Sequence, residues 1–222
     1  MNSIKGLIFD FDGLILDTEL PNLQSWQEVY RAYGQELPFE KYILTVGTDE
    51  HTFNPLAYLR QHAGNGFDSH GASSLHEKLL LDNLSFCDLM PGVRQYLQDA
   101  KDAEIKVAIA SSSTQKWVLG HLERLNCEDY FDAIVTADSI YPAKPDPTVY
   151  RVSLDLLGIF PKEAVAFEDS VNGVRAARRA EIFCVAVPNS VTLNMDFFES
   201  DLQVPSLLTV ALKEIITIAE SR

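Results

Sequence analysis

Apolar positions along the chain fall into two rhythms. The first is a set of short unbroken runs: Gly6-Leu7-Ile8-Phe9, Ile105–Ala110, Phe131–Thr136, Ala164–Phe167 and Ile182–Val187. Each is bounded by polar, Gly or turn-forming residues and is too short for a helix, so each predicts a buried strand. The second rhythm is a three-to-four residue spacing. Leu23, Trp26, Val29 and Tyr30 predict a helix from an N-cap at Thr18 to about Gly34, with Glu19 and Pro21 in its first turn. Further helices are predicted over Val93–Ala100, through Trp117, Val118, Leu122 and Leu125, over Val171–Ala180, and over about 206–219. Another opens at Lys144-Pro145-Asp146-Pro147, with Pro147 in its first turn. Trp26 and Trp117 sit within these patterns and read as core. Strands alternating with helices predict an α/β fold, a doubly wound parallel sheet with right-handed crossovers.

One interval breaks the alternation. From Glu36 to Phe86 no strand pattern occurs, and pieces around Phe39–Val46, Phe53–His62 and Ser74–Leu84 are helical. An all-helical insertion between the first and second strands follows.

Composition narrows the function classes. Hydrophobic content of 46% and charged content of 23% are those of a chain able to bury a core. A net charge of −14 argues against nucleic-acid or anionic-membrane surfaces, and an anionic substrate must be met by a local Lys, Arg or metal ion. Cys87, Cys127 and Cys184 are far apart and odd in number, which predicts reduced thiols and a cytoplasmic setting. No signal-peptide pattern or membrane-length apolar run is expected from the sequence.

In open α/β sheets, ligands bind beyond the carboxyl ends of the strands. Asp10 and Asp12 follow the first strand, Ser111 the second, and Glu168 and Asp169 the fourth, while Lys144 lies in a loop beside that edge. Each has an ordinary explanation: turn residue, N-cap, first-turn acid or surface lysine. Their conjunction suits metal-assisted phosphoryl transfer, with carboxylates for Mg²⁺, a hydroxyl for phosphate oxygens and a Lys to offset charge. Gly13 frees the backbone to turn out of the first strand. Gly173 either permits close helix–sheet packing or is simply tolerated in its helix. Arg175, Arg178 and Arg179 share a helix face that reads as solvated.

The DFDGLILDTE segment from Asp10, the AIASSS segment from Ala108, Lys144-Pro145 and the AFEDSVNG segment from Ala166 occur in order and cover most of the chain. Together they resemble the haloacid dehalogenase superfamily, in its Mg²⁺-dependent phosphatase branch with a helical cap. The resemblance implies a Rossmann-like core of residues 1–17 and 85–222 and a cap of residues 18–84, hinged at 13–17 and 85–89. It implies Asp10 as nucleophile forming an aspartyl-phosphate, and Asp12 as general acid and base. Phosphate would be bound at Phe11, Ser111, Ser112 and Lys144, and Mg²⁺ at Asp10, Asp12 (through its carbonyl), Glu168 and Asp169. The cap loop Val46–His51 would face substrate, with Thr48 and His51 as candidate contacts. β-Phosphoglucomutases carry a His early in the first cap helix and an Arg in this loop, where Asn22 and Asp49-Glu50-His51 stand here. Hydrolysis of a small phosphorylated metabolite, sugar phosphates first, is therefore expected over phosphoryl transfer within a mutase cycle. A receiver-like signalling domain fits less well, since its acidic pair precedes the phosphoaccepting strand. A monomer is expected.

Overall fold

A computed structural model describes residues 3–47, 53–139 and 143–222. Six strands form one sheet: β1 (Gly6–Phe9), β2 (Lys106–Ala110), β3 (Ala133–Val135), β4 (Ala164–Glu168), β5 (Phe183–Ala186) and β6 (Leu202–Gln203). Their order is β3-β2-β1-β4-β5-β6, and every neighbouring pair is parallel. The expected α/β fold class holds. β6 is the strand the sequence pattern does not announce, because two residues are too few to show an alternation. Helices α5 (Val93–Asp102), α6 (Gln115–Leu125), α7 (Thr148–Leu157), α8 (Val171–Arg179) and α9 (Leu212–Glu220) cover the two faces. Because side chains alternate along a strand, Leu7, Phe9, Val107, Ile109, Val165 and Phe167 pack with α5, α6 and α9. Ile8, Ala108, Ala110, Ala164 and Ala166 pack under α7 and α8 on the other face. A sheet buried on both sides explains why its strands read as unbroken apolar runs.

Between β1 and β2 the chain makes α1 (Glu19–Ala32), α2 (Phe39–Tyr42, continuing as a 3₁₀ turn Ile43–Thr45), α3 (Pro55–His62) and α4 (Ser69–Leu84). These helices build apolar clusters of their own. Val29, Tyr30, Leu59 and Ala72 form one, and the Tyr30 hydroxyl donates to the Pro55 carbonyl at 2.7 Å. Leu23, Tyr42 and Val46 form another, closed by Val191 from the segment after β5. Where the chain leaves and rejoins the sheet, Leu16 bridges to Leu89 and Met90 N–H donates to the Ile15 carbonyl at 2.8 Å.

Several boundaries differ from the periodicity. α4 starts at Ser69 rather than Ser74, because the Asp68 carboxylate caps Gly71 N–H at 3.0 Å. Thr18 holds the N-cap position of α1 without a side-chain cap, and Asp17 instead accepts from Leu20 N–H at 3.2 Å. Pro147 is the N-cap residue of α7, one step before the first turn. The arginine face of α8 is paired rather than merely solvated: Arg178 meets both Asp201 oxygens at 2.7 and 2.8 Å, and Arg175 meets Glu199 at 2.6 Å. These pairs tie α8 to the segment leading into β6. Among the described residues no helix is long and apolar enough to cross a membrane.

Candidate active site

β1, β2, β4 and β5 end at one edge, and each hands a polar side chain to it. Asp10 N–H donates to the Phe167 carbonyl at 3.0 Å, extending the β1–β4 ladder by one residue before the chain turns. The turn runs through Gly13 at φ +76°, where a Cβ would collide with the side chains of Asp169 and Asn189. Glycine is required there on both counts.

Asp10, Glu168 and Asp169 are all buried, and their oxygens lie within 4.8 Å of one another. Lys144, 2% exposed, reaches this group from its loop, with Nζ 2.6 Å from Asp10 Oδ1 and 2.7 Å from Glu168 Oε1. The buried hydroxyl of Tyr150 also donates to Glu168 Oε1. Burial pushes Asp10 up to about 7, with Lys144 pulling it back and Glu168 adding to the rise. Burial raises Asp169 well above the ordinary carboxylate range, reinforced by Asp10, Glu19 and Glu168. Burial by itself would lower Lys144, but the Asp10 and Glu168 carboxylates outweigh it and hold the ammonium charged.

One ammonium among three crowded carboxylates leaves negative charge to be met. Asp169 Oδ2 accepts from Asn189 Nδ2 at 2.7 Å, while Asp169 Oδ1 is buried with no hydrogen-bond partner. An unsatisfied buried carboxylate oxygen beside two further carboxylates is an all-oxygen donor set that fits a hard divalent cation such as Mg²⁺.

The Asp12 carboxylate turns away from this cluster. It accepts from Trp117 Nε1 at 2.9 Å, from the Ser113 hydroxyl at 2.6 Å and from the Ser111 hydroxyl at 3.4 Å. The N-cap of α6 is Thr114 and not Ser111, which leaves Ser111 Oγ to accept Ser113 N–H at 3.0 Å. Ser112 Oγ is buried without a partner, and Ser112 and Ser113 face the cavity. That cavity, about 520 Å³, spans from Asp10, Asp12 and Lys144 to the helices α1, α2 and α4. Thr48 and His51 lie outside the described residues.

A family model for haloacid dehalogenase-like hydrolases matches residues 7–187. The chain belongs to that family. YhcW of Bacillus subtilis is 40% identical over 209 residues, covering 94% of each chain. The phosphorylated carbohydrates phosphatase of Thermotoga maritima is 32% identical over 182 residues, covering 81% of this chain and 82% of that one. The crystal structure of CbbY from Rhodobacter sphaeroides in complex with phosphate superposes with a TM-score of 0.73 at 26% identity, over 92% of this chain and 95% of that one. With such relatives, this hydrolase is a phosphatase.

The hydrolase also places residues at the site that sequence patterning assigned elsewhere. Trp117, read as core, aims its indole N–H at Asp12. Asn189 joins Asp169 to the Gly13 carbonyl, at 2.7 and 3.2 Å. The signal for Asn189 was available, since it follows the fifth strand at the same sheet edge. Glu19, read as a first-turn acid, lines the cavity, and burial with Asp12, Asp10 and Asp17 nearby pushes it up to about 8. Tyr150 carried no sequence signal beyond helical spacing.

Proposed function

We propose that this hydrolase is a Mg²⁺-dependent phosphomonoesterase for small phosphorylated sugars, working through an aspartyl-phosphate on Asp10. The supporting observation is the single constellation at the end of β1: Asp10 held by Lys144 at 2.6 Å, grouped with Glu168 and Asp169, and followed two residues later by Asp12 on a separate hydrogen-bond network. Mg²⁺ would be held by Asp10, Asp169 and the Asp12 carbonyl, with Glu168 bound directly or through water. When bound it neutralises carboxylate and phosphate charge.

The remaining chemistry belongs to the chain. Lys144 fixes one Asp10 oxygen and offsets the charge that accumulates as Asp10 approaches phosphorus. With phosphate bound, the Ser111 hydroxyl turns from its 3.4 Å contact with Asp12 and, together with the backbone N–H groups at Ser112 and after Phe11, donates to phosphoryl oxygens. An Asp10 oxygen bonds to phosphorus as the ester P–O bond breaks, and Asp12 delivers its proton to the departing alkoxide. Asp12 then takes a proton from water as that water attacks phosphorus and frees Asp10 with inorganic phosphate. Trp117 and Ser113 hold the Asp12 carboxylate in place for both steps. Residues 18–84 act as a cap over a core of 1–17 and 85–222, closing at 13–17 and 85–89 to exclude water from the ester. The name of the Thermotoga maritima relative supports phosphorylated carbohydrates as the substrate class.

Phosphate release from a panel of sugar phosphates, with Mg²⁺ or with EDTA, tests this reading. Metal-dependent release that vanishes in a folded Asp10→Asn variant is expected. Turnover retained by that variant would refute the nucleophile.

A further inference from the structure

The cavity has a further wall, formed by α1 and α4, which the chemistry above does not use. His76 Nε2 meets Asn22 Oδ1 at 2.9 Å, across 54 residues of sequence. The His76 ring stacks on Trp26, with centroids 4.0 Å apart and planes 19° from parallel. All three residues line the cavity. Burial lowers His76 to about 4, so the ring is neutral near pH 7. With Nε2–H donated to Asn22 Oδ1, His76 Nδ1 is an acceptor and the Asn22 amide retains its N–H donors. The wall thus offers an aromatic face beside an uncharged donor and acceptor. Thr18 and Tyr42 also line the cavity, although their hydroxyl oxygens are themselves buried beneath its surface.

Charge points the same way. Among the described residues lining the cavity, Lys144 is the one Lys or Arg, and its ammonium already meets Asp10 and Glu168. A second phosphate at this wall would be desolvated in a cavity that also holds Asp10, Asp12 and Glu19, with no further described cation to meet it, an arrangement that costs binding.

We propose that Trp26, His76 and Asn22 form a preassembled specificity wall for the leaving alcohol. It selects monophosphates of neutral polyhydroxy compounds, a sugar or sugar alcohol, and rejects bisphosphates. The proposal rests on the phosphomonoesterase reading and adds the part of the substrate that departs. The Trp26 indole covers the C–H face of the polyol, and Asn22 meets its hydroxyl groups. Trp26 and Asn22 touch substrate, while His76 orients both.

The test is a kcat/KM comparison with Mg²⁺ present, using a hexose 6-phosphate, the matching hexose bisphosphate and p-nitrophenyl phosphate. The wild-type protein is expected to favour the monophosphate over the bisphosphate by at least about tenfold. Asn22→Ala and Trp26→Leu are expected to lower the ratio of hexose monophosphate to p-nitrophenyl phosphate kcat/KM by about tenfold, chiefly through KM for the sugar. His76→Lys, which puts a cation on the wall, is expected to narrow the gap between bisphosphate and monophosphate. Each ratio is internal to one variant, so partial loss of folded protein cancels, and the wild-type comparison needs no variant at all. Preference of the wild type for the bisphosphate would overturn the proposal. So would Asn22 and Trp26 variants that lose all three substrates in equal proportion. Failure of the wild type to release phosphate even from p-nitrophenyl phosphate would sink the phosphomonoesterase reading itself, and the specificity wall with it.

Discussion

Trp117 shows how a single donor can tie a fold residue to chemistry. Its ring packs from α6 against the core, yet its Nε1 gives Asp12 one of its hydrogen bonds, at 2.9 Å. Replacing it with Phe keeps the apolar ring and removes the donor. A hydrogen bond to a charged acceptor contributes about 1.5–3 kcal/mol, so Trp117→Phe is expected to destabilise the protein by about that much in urea unfolding. It should also lower kcat more than KM changes, because Asp12 loses the contact that aims it. His76 gives a second residue-scale prediction. Its folded value, lowered to about 4 by burial, lies below that of the unfolded chain, near 6.5. The unfolded state therefore binds the extra proton first as pH falls. The contribution to stability is intact above about pH 6.5 and is lost on descending towards about pH 4. Because the ring is only partly shielded from water, the loss is expected to be roughly 1–2 kcal/mol after allowing for screening. His76→Phe, which keeps the stack on Trp26, should lose less stability over that range, and the difference between the two urea-unfolding profiles isolates the histidine.

At the scale of elements, the meeting of β4 and α8 sets the position of Glu168. A Cβ at Gly173 would collide with the Glu168 carboxyl group, and Ser170 caps α8 by accepting Gly173 N–H at 3.1 Å. Gly173→Ala should leave α8 helical but displace Glu168 from Lys144. Activity is expected to fall at least about tenfold while circular dichroism stays nearly unchanged, since misplacing a catalytic group by about 1 Å can cost 10²-fold. The AFEDSVNG segment already held both readings of Gly173, tolerated glycine and close packing, and the geometry selects the second. Other elements were legible for a plain reason: a sheet covered on both faces writes its strands as apolar runs, and their ends mark one edge, so Asp10, Asp12, Ser111, Glu168 and Asp169 could be found from position alone. Lys144 could be placed only beside that edge; its reach to both Asp10 and Glu168 is a tertiary fact. Trp117, Tyr150 and His76 were hidden because each carries its polar chemistry on an aromatic side chain that otherwise follows helical spacing. β6 was hidden because Leu202 and Gln203 are held by parallel pairing to β5 and by the Arg178–Asp201 pair nearby, neither of which leaves a local pattern.

For the whole molecule, the acidic cluster is expected to make stability depend on a divalent ion. The chain carries a net charge of −14, and Asp10, Glu168 and Asp169 add crowded carboxylates in its interior with Lys144 among them. A ligand that binds only the folded state stabilises it by about 2.7 kcal/mol at a hundred times its Kd. For a chain of this size each kcal/mol moves Tm by roughly 2–4 °C, so saturating Mg²⁺ is expected to raise Tm by roughly 5–10 °C over the EDTA-treated protein. General screening of so acidic a surface would also raise Tm, and the two effects separate on two grounds. Screening is reproduced by NaCl at matched ionic strength, whereas occupancy of the site is not. Asp169→Asn removes a carboxylate from the cluster and leaves most of the surface charge in place, so its Mg²⁺-specific rise should shrink to a small fraction of the wild-type value while the NaCl response stays the same. A Mg²⁺ rise of equal size in Asp169→Asn and wild type would place the ion on the acidic exterior, and the cluster at the end of β1 would then need another explanation for its unpartnered Asp169 oxygen.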